Sequence, residues 1–565
     1  MLPSDAALSL LWPPGCEQAF HYHDSTDLIN DLNLRLLIRR LSYNPSYERF
    51  VRDLLLTLVT DEQIIHYRQA ILADLLSNEA LVLHLQVVLE TILDLERYLG
   101  APQWVENPLR QVAWRLSELD NYVTCMVQFD EILQAASEQL QSDGLRRLRD
   151  MIHEIVQAES FIELQQSLPD LLPKIRAIRS ITIGINLDEQ LRPVSATLLD
   201  ANIQPVTGSS ILNRLLRREK TPEEGAGPLH NARDLNTGGA HFQVELEDRN
   251  SPFMPQLFKD LSELMEATSR PIAQALRRYT HINTRFLIAL KDEIAFYLGA
   301  VKMIQSLQQA GLPMCAPEVA PMPSRIMHMT DLYNVNLALQ LQNRQRPAGE
   351  VVVRNDAIFD DDIGRIYILT GPNQGGKTTY TQAVGLAYLL MQAGLHVPAV
   401  RATLSAVDGI YTHFATEERP EQEAGRLGEE ARRLSRIFEQ ATRYSLVLLN
   451  ESLASTAADE SLFIAQDVVR VLRKLGARAV FATHLHNLAA ECEQLNAQTE
   501  GDSRVVSIVS HVALEEGPDG QVVRRTYEIK PGPPVSRSYA VELAARYGIS
   551  YEQLMDVLRQ RQLLD

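Results

Sequence analysis

Residues Ile366 to Tyr380 read IYILTGPNQGGKTTY. Ile366 to Thr370 is a short apolar run of the kind that forms a strand buried on both faces. GPNQGGKTT, Gly371 to Thr379, follows at once, and Tyr380 to Ala393 reads as a helix. Gly371, Gly376, Lys377 and Thr378 meet the spacing G-x-x-x-x-G-K-[ST]. Glycines let backbone N–H groups turn inward around phosphate oxygens, and the helix start adds positive partial charge. Lys377 would reach the β- and γ-phosphates, and the Thr378 hydroxyl would take Mg²⁺. Gly371, Pro372, Asn373, Gln374, Gly375, Gly376, Lys377, Thr378 and Thr379 are therefore expected to bind ATP. The alternative, a glycine turn without a ligand, is disfavoured by the strand before it and the helix after it.

Two more apolar runs lie downstream. Ser445 to Leu449 (SLVLL) ends in Asn450 and Glu451. In phosphate-loop ATPases such a strand sets one side chain beside Mg²⁺ and a carboxylate near the attacking water. Glu451 suits the general base. Asn450 stands where an aspartate is expected, bringing an oxygen for the metal site but no charge. Ala479 to Thr483 (AVFAT) ends at His484, which could hydrogen-bond the γ-phosphate or the water. Taken singly, Glu451 could be a surface carboxylate and His484 a structural histidine; their shared position after strands of one sheet favours catalysis.

Outward from this block the chain changes character. From about Asp27 to Glu159 it is helical by pattern, with a stretch free of proline and glycine from Asp61 to Tyr98 that reads as one long helix or two. Asn107-Pro108 and Asp143-Gly144 mark breaks. Ile181, Ile183 and Ile185 alternate with polar residues as a strand, with Val194 to Leu199 as its hairpin partner. Glu219 to Gly239 reads as a loop, Met254 to Gln309 as helix again, and Gly311 to Pro323, with four prolines, as a linker. The expected layout is an N-terminal segment (1–24), a mainly helical region (25–325) with a β/loop insertion near 180–240, and an α/β P-loop domain (326–565) with a C-terminal helical dimerisation segment.

The bulk numbers bound the function. At 565 residues the chain exceeds one ordinary core, and 45% hydrophobic with 22% charged residues describes a folded protein. No apolar run could cross a bilayer, and the N-terminus lacks the charged start of a secretory signal, so a cytoplasmic location without a membrane partner is expected. The four cysteines are scattered, as in a reducing compartment. The net charge of −18 lends no support to nucleic-acid binding, which needs cations facing phosphates. Arg214, Arg217, Arg218 and Lys220 form a small basic run that could contact nucleic acid, or could be a solvated helix face.

The residues resemble the MutS family, the ATPases of DNA mismatch repair and their relatives. TGPNQGGKTTY is similar to that family's TGPN-x-GGK-[ST]-T-Y, with Asn373 a distinctive part. GLHVPA (Gly394 to Ala399), AVDGIYTHF (Ala406 to Phe414), ATRYSLVLLNES (Ala441 to Ser452), FATHLHNLA (Phe481 to Ala489) and PG...SRSYAVELA (Pro531 to Ala544) continue the likeness in order. It covers about Asp331 to Leu564, and extends more weakly to DLNLRLLIRRL and the long helices. The resemblance implies a homodimeric, ATP- and Mg²⁺-dependent DNA-binding clamp in repair or recombination. The runner-up is a nucleotide-gated clamp with little turnover, acting on branched DNA, structured RNA or ribosomes. An ABC-type transporter is disfavoured because no LSGGQ-like segment is present.

Three departures matter. Asn450 replaces the family's aspartate. SLASTAADE (Ser452 to Glu460) replaces a glycine-rich stretch, keeping only Ser455, Thr456 and Asp459 similar in character. AGRLGEEARRL (Ala424 to Leu434) replaces a serine-led helix, so Gly425, Arg426 and Gly428 are the residues the resemblance places against the opposite subunit's γ-phosphate. The region ahead of the phosphate loop is shorter than the family's mismatch-reading domain and connector require. Phe129-Asp130-Glu131 and Phe161-Ile162-Glu163 match its Phe-x-Glu wedge, but both lie in helical patterns. Weak mismatch preference is therefore expected.

Overall fold

Apolar runs of five residues are too short for stable helices, and in the computed structural model they become strands. It describes residues 8–16, 20–22, 26–99, 108–176, 180–190, 193–202, 285–344, 347–415, 425–453, 457–517, 520–534, 548–561 and 563. Outside these lie Arg214, Arg217, Arg218 and Lys220, the Glu219 to Gly239 loop, Ser455 and Thr456, and the late SRSYAVELA segment.

In chain order the strands are β1 (Phe20–Tyr22), β2 (Thr57–Val59), β3 (Ser180–Leu187), β4 (Pro193–Asn202), β5 (Glu318–Ala320), β6 (Met327–Leu332), β7 (Asn355–Phe359), β8 (Ile366–Thr370), β9 (Arg401–Ser405), β10 (Ile410–Phe414), β11 (Leu446–Asn450), β12 (Arg478–Ala482), β13 (Val505–Gly517) and β14 (Gly520–Pro531). Six of them form a sheet ordered β10-β11-β12-β8-β13-β14. Its first five strands run parallel and β14 returns antiparallel. Every residue of β8, β11 and β12 is buried, as expected for parallel strands covered on both faces. One face packs the Ala458–Leu475 helix through Ala465, Val469 and Leu472. On the other, the Lys377–Gln392 helix approaches so closely that a Cβ on Gly385 would lie 2.8 Å from Leu448. A second sheet, ordered β5-β9-β6-β7, mixes parallel and antiparallel pairs.

The chain divides into two compact units. One comprises Met1–Leu89, Leu133–Arg149 and Ala289–Asp565, and holds both of these sheets. The other comprises Glu90–Ile132 and Asp150–Ile288. In the second unit the Tyr122 and Phe161 rings meet edge to face at 6.0 Å. Phe129 and Phe161, the two candidate wedge residues, are 0% and 2% exposed, so both rings are core. β3 and β4 pair antiparallel, as the alternation predicts.

One open reading is settled and one expectation needs adjustment. The Asp61 to Tyr98 stretch is two helices, Glu62–Ser77 and Glu79–Leu99, breaking at Asn78, with a 104° bend between the axes. The Gly311 to Pro323 linker is structured: it contributes edge strand β5, and Cys315 bridges Val397. Its prolines punctuate an edge, where a missing N–H goes unnoticed. No single described helix is long and apolar enough to cross a membrane.

The N-terminal segment is strapped to the Arg285–Gln309 helix. Ser9 Oγ and Leu10 N–H donate to the two Glu293 carboxylate oxygens at 2.6 and 2.5 Å, and Tyr297 Oη donates to Leu10 O at 2.9 Å. Burial, only partly offset by these bonds and by Arg68, pushes the Glu293 carboxyl up to about 7. Its folded pKa thus lies above its unfolded value, so the folded state holds the extra proton. The stability it contributes is complete below about pH 4.5 and is lost as pH rises through about 7. In Glu293→Gln the amide keeps an acceptor for Leu10 and stays neutral. We expect the variant to melt higher than the parent at pH 8, by roughly 2–5 °C, and to lose that advantage at pH 5. Thermal unfolding at both pH values checks this; a constant difference between the two would assign the pH dependence elsewhere.

Candidate functional site

β8 sits inside the sheet, and the glycine loop leaves its C-terminal end. Parallel pairing sets Leu369 against Ala482 and Ala482 against Asn450, so three strand ends open on one edge. Such an edge is where open α/β sheets bind ligands. Gly376, at φ +94°, caps the Lys377–Gln392 helix, which begins three residues earlier than the sequence pattern suggests. Gly371, at φ +142°, lets the loop turn beside β13, where a Cβ would lie 2.7 Å from Ser510 Cβ. Ser510 Oγ also donates to Gly375 O at 2.6 Å.

Lys377 is 5% exposed; its Nζ donates to Gly371 O at 3.0 Å and lies 3.3 Å from Glu451 Oε1. His484 Nε2 lies 2.9 Å from the same oxygen. Burial pushes the Lys377 ammonium down, and the Glu451 charge opposes it. Burial alone would raise the Glu451 carboxyl, but the His484 hydrogen bond and the Lys377 charge together outweigh it and leave it below the ordinary range. A cation, an ionised carboxylate and an imidazole thus converge at the loop. Glu451 and Leu453 adopt φ +55° and +66°, left-handed values that cost L-residues roughly 1–2 kcal/mol each and turn the chain sharply after β11.

Thr378 Oγ1 donates to Asn450 Oδ1 at 3.2 Å, so the two expected metal-site oxygens are neighbours. Mg²⁺ commonly takes one or two protein oxygens and fills its sphere with phosphates and water, and this pair fits that demand. Among the described residues no cluster of three or more His, Cys, Asp or Glu could hold a metal by itself.

Lys377, Thr378, Glu451 and His484 open into a cavity of about 730 Å³, a ligand-sized volume. It is lined by the Asn373 to Thr379 loop with Glu451 and His484, and by a second set of residues, Tyr333, Leu337, Leu341, Val351 and Tyr527, with Asn334 and Asn355. Asn334 caps the Val335–Asn343 helix and also donates Nδ2–H to Thr379 O at 3.0 Å. Asn355 Nδ2 donates to Tyr527 O at 3.1 Å, and Arg525 Nη1 donates to Gln374 Oε1 at 2.9 Å. Sequence reading missed this second wall. Leu337 and Leu341 share a helix face, which is a visible signal, but Tyr527 and Asn355 meet only through tertiary pairing. Gly425, Arg426 and Gly428 occupy the first turn of the Gly425–Gln440 helix, and Gly428 is not part of the cavity wall.

Residues 60–310 match the MutS2 N-terminal domain, and residues 367–561 match MutS domain V. The chain is 32% identical over 202 residues to the endonuclease MutS2 of Thermus thermophilus, covering 36% of this chain and 25% of that protein. It is 35% identical over 181 residues to the DNA mismatch repair protein MutS of Chlorobium limicola, covering 32% of this chain and 21% of the relative. With the DNA mismatch repair protein MutS 2 of Halobacterium salinarum it shares 35% over 214 residues, 38% and 23% of the two chains. The matched part thus spans about a quarter of each relative's length.

The contact of Gly371 with Ser510 gives a prediction independent of ligand. Gly371→Ala forces a methyl against Ser510 and should lower stability by about 1–3 kcal/mol. Adding Ser510→Gly should restore part of the loss. Thermal unfolding without nucleotide reads both, and a parent-like Tm for Gly371→Ala would show that neither the φ of +142° nor the contact with β13 requires glycine.

Proposed function

We propose that this chain, which belongs to the MutS family, is an ATP-hydrolysing, DNA-binding clamp that works as a cytoplasmic homodimer in repair or recombination. The observation that carries the reading is the convergence of Lys377, Glu451 and His484 within 3.3 Å of one another's partner atoms, at the mouth of a glycine loop on a ligand-sized cavity. In this reading the domain from residue 326 onward has a P-loop fold, with the mainly helical region before it acting as core and lever.

The loop from Gly371 to Thr379 holds the triphosphate through its N–H groups, and Lys377 moves its ammonium from the Gly371 carbonyl onto the β- and γ-phosphates. Glu451, ionised and turned toward Lys377, takes the proton of the attacking water. His484 shares the Glu451 oxygen and orients the same water. Thr378 and Asn450 hold Mg²⁺, which supplies charge stabilisation to the phosphates when bound. The apolar wall around Leu337, Leu341 and Tyr527 takes the base. Gly425, Arg426 and Gly428 complete the partner's site across the dimer. The Tyr551–Gln560 helix supports a dimerising role: it has no buried residue and exposes Tyr551, Leu554 and Val557. ATP closes the clamp by binding the closed dimer better than the open one.

The names of the relatives, mismatch repair proteins and an endonuclease, support DNA as the polymer. Arg214, Arg217, Arg218 and Lys220 remain the candidates for contacting it. Asn450 favours a second reading, a gated clamp with little turnover on branched DNA, structured RNA or ribosomes, because it withholds a charge from the metal site.

Lys377→Ala should abolish ATP binding in the folded protein, and Glu451→Ala should bind ATP but lose turnover by at least about a hundredfold. Equilibrium binding and steady-state phosphate release read the two. Unchanged affinity in the first, or unchanged turnover in the second, would overturn the site.

Asn450→Asp adds a charged oxygen beside Thr378. It should lower the Mg²⁺ concentration for half-maximal turnover several-fold, since a hard cation prefers a charged oxygen. Superimposable Mg²⁺ titrations would leave Asn450 without a role at the metal.

A further inference from the structure

The turn that carries Glu451 is held from β10 by a residue that never reaches the cavity. Ser452, 3% exposed, lies 3.0 Å through Oγ from His413 O and 2.7 Å from His413 Nδ1. The hydroxyl has one proton, and a carbonyl can only accept, so Ser452 donates to His413 O. Nδ1 must then carry a hydrogen and donate to Ser452 Oγ. His413 is 0% exposed, and among the described residues its Nε2 has no hydrogen-bond partner, consistent with a bare nitrogen there. Burial, reinforced by the Arg433 charge, pushes the ring down to about 4, so it is neutral at pH 7.

The surroundings show why two bonds are needed. Glu451 and Leu453, on either side of Ser452, both have left-handed φ, so the turn persists only where contacts over-determine it. Glu451 N–H is tied to β12 through Ala482 O at 2.8 Å, and Leu453 O accepts from Ser461 Oγ at 2.7 Å. His413 supplies the tie to β10, on the other side of β11. Its backbone is fixed in turn by the strand, where it pairs with Leu449. His413 is not part of the cavity wall.

We propose that His413 is a positioning residue for the proposed base: by donating Nδ1–H to Ser452 Oγ it holds the left-handed turn that aims the Glu451 carboxylate at the phosphate loop. This rests on the ATPase reading above. Removing the ring frees the turn and misdirects the carboxylate, while the phosphate loop, built on β8 and its own helix, is left intact. The signature is a loss in kcat with nucleotide affinity preserved. Asparagine can place an amide N–H where Nδ1–H stands, and so should rescue.

The full-length chain is compared with His413→Ala, His413→Asn, Ser452→Ala and Glu451→Ala, using steady-state hydrolysis and binding of a fluorescent N-methylanthraniloyl-ATP. His413→Ala and Ser452→Ala should each lower kcat by about tenfold or more, with KM and probe affinity within about twofold of the parent. His413→Asn should recover most of kcat. Should His413→Ala fail to fold, Ser452→Ala, which deletes a single hydroxyl, carries the same expectation. Parent-like kcat in both alanine variants, or equal losses in kcat and probe affinity, would overturn the proposal. A parent that shows no turnover above Glu451→Ala would instead overturn the ATPase reading on which it stands.

Discussion

Parallel in-register pairing of β8, β11 and β12 is the constraint on which the site depends. Each hydrogen-bonded step of a parallel ladder places strand ends side by side, and here the ends deliver an ammonium, a carboxylate and an imidazole from segments far apart in the chain. Glu451 and His484 follow their strands within two residues, and the glycine loop carries Lys377 back to them from the end of β8. A slip of one residue in β11 would exchange Asn450 and Glu451 between faces, removing the carboxylate from Lys377 and the amide from Thr378 together. Close packing on both faces opposes such a slip, because every side chain of β11 would have to fit the space of a differently shaped neighbour.

The rest of that unit reinforces the register from below and from the side. Asp502, at the far edge, accepts from Arg325 and Arg443 at 2.7 and 2.6 Å, and the fully buried Arg365 donates to its carbonyl. On the β10 side, Arg433 pairs with Asp27 and Asp31 at 3.2 Å, and Asp31 also accepts from Phe414 N–H. Gln382 in the helix after the glycine loop donates to Asp31 O at 2.7 Å. The Thr26–Asp31 helix is therefore bonded both to the helix after the glycine loop and to the helix whose first turn carries Arg426.

Legibility in the sequence followed the range of the interaction. The glycine loop was readable because its chemistry is local: strand, turn and helix follow one another without a break from Ile366 to Gln392, and each residue type answers a requirement of phosphate binding. Glu451 and His484 were readable because buried parallel strands appear as bare apolar runs, and a polar side chain at the end of such a run is conspicuous. The break at Asn78 was half visible, since no proline or glycine marks it and the cap is an ordinary asparagine. Prolines around β5 looked like a linker because an edge strand tolerates them. His413, Tyr527 and Asn355 were hidden, for nothing in a one-dimensional pattern tells which strand lies beside β11 or which hairpin folds over the loop.

Asn355 has a consequence of another kind. β14 is the last strand of its sheet, so its outer backbone groups would be open to any passing chain. The Asn355 side chain imitates a neighbouring strand there: its Nδ2 donates to Tyr527 O, and its Oδ1 accepts from Ile529 N–H at 2.6 Å. One amide thus plugs alternate backbone sites, and the exposed Glu528–Lys530 pair beside it adds charge to the same edge. The residue that lines the cavity is at the same time a guard against strand addition, and losing it would open both backbone groups to self-association in solution.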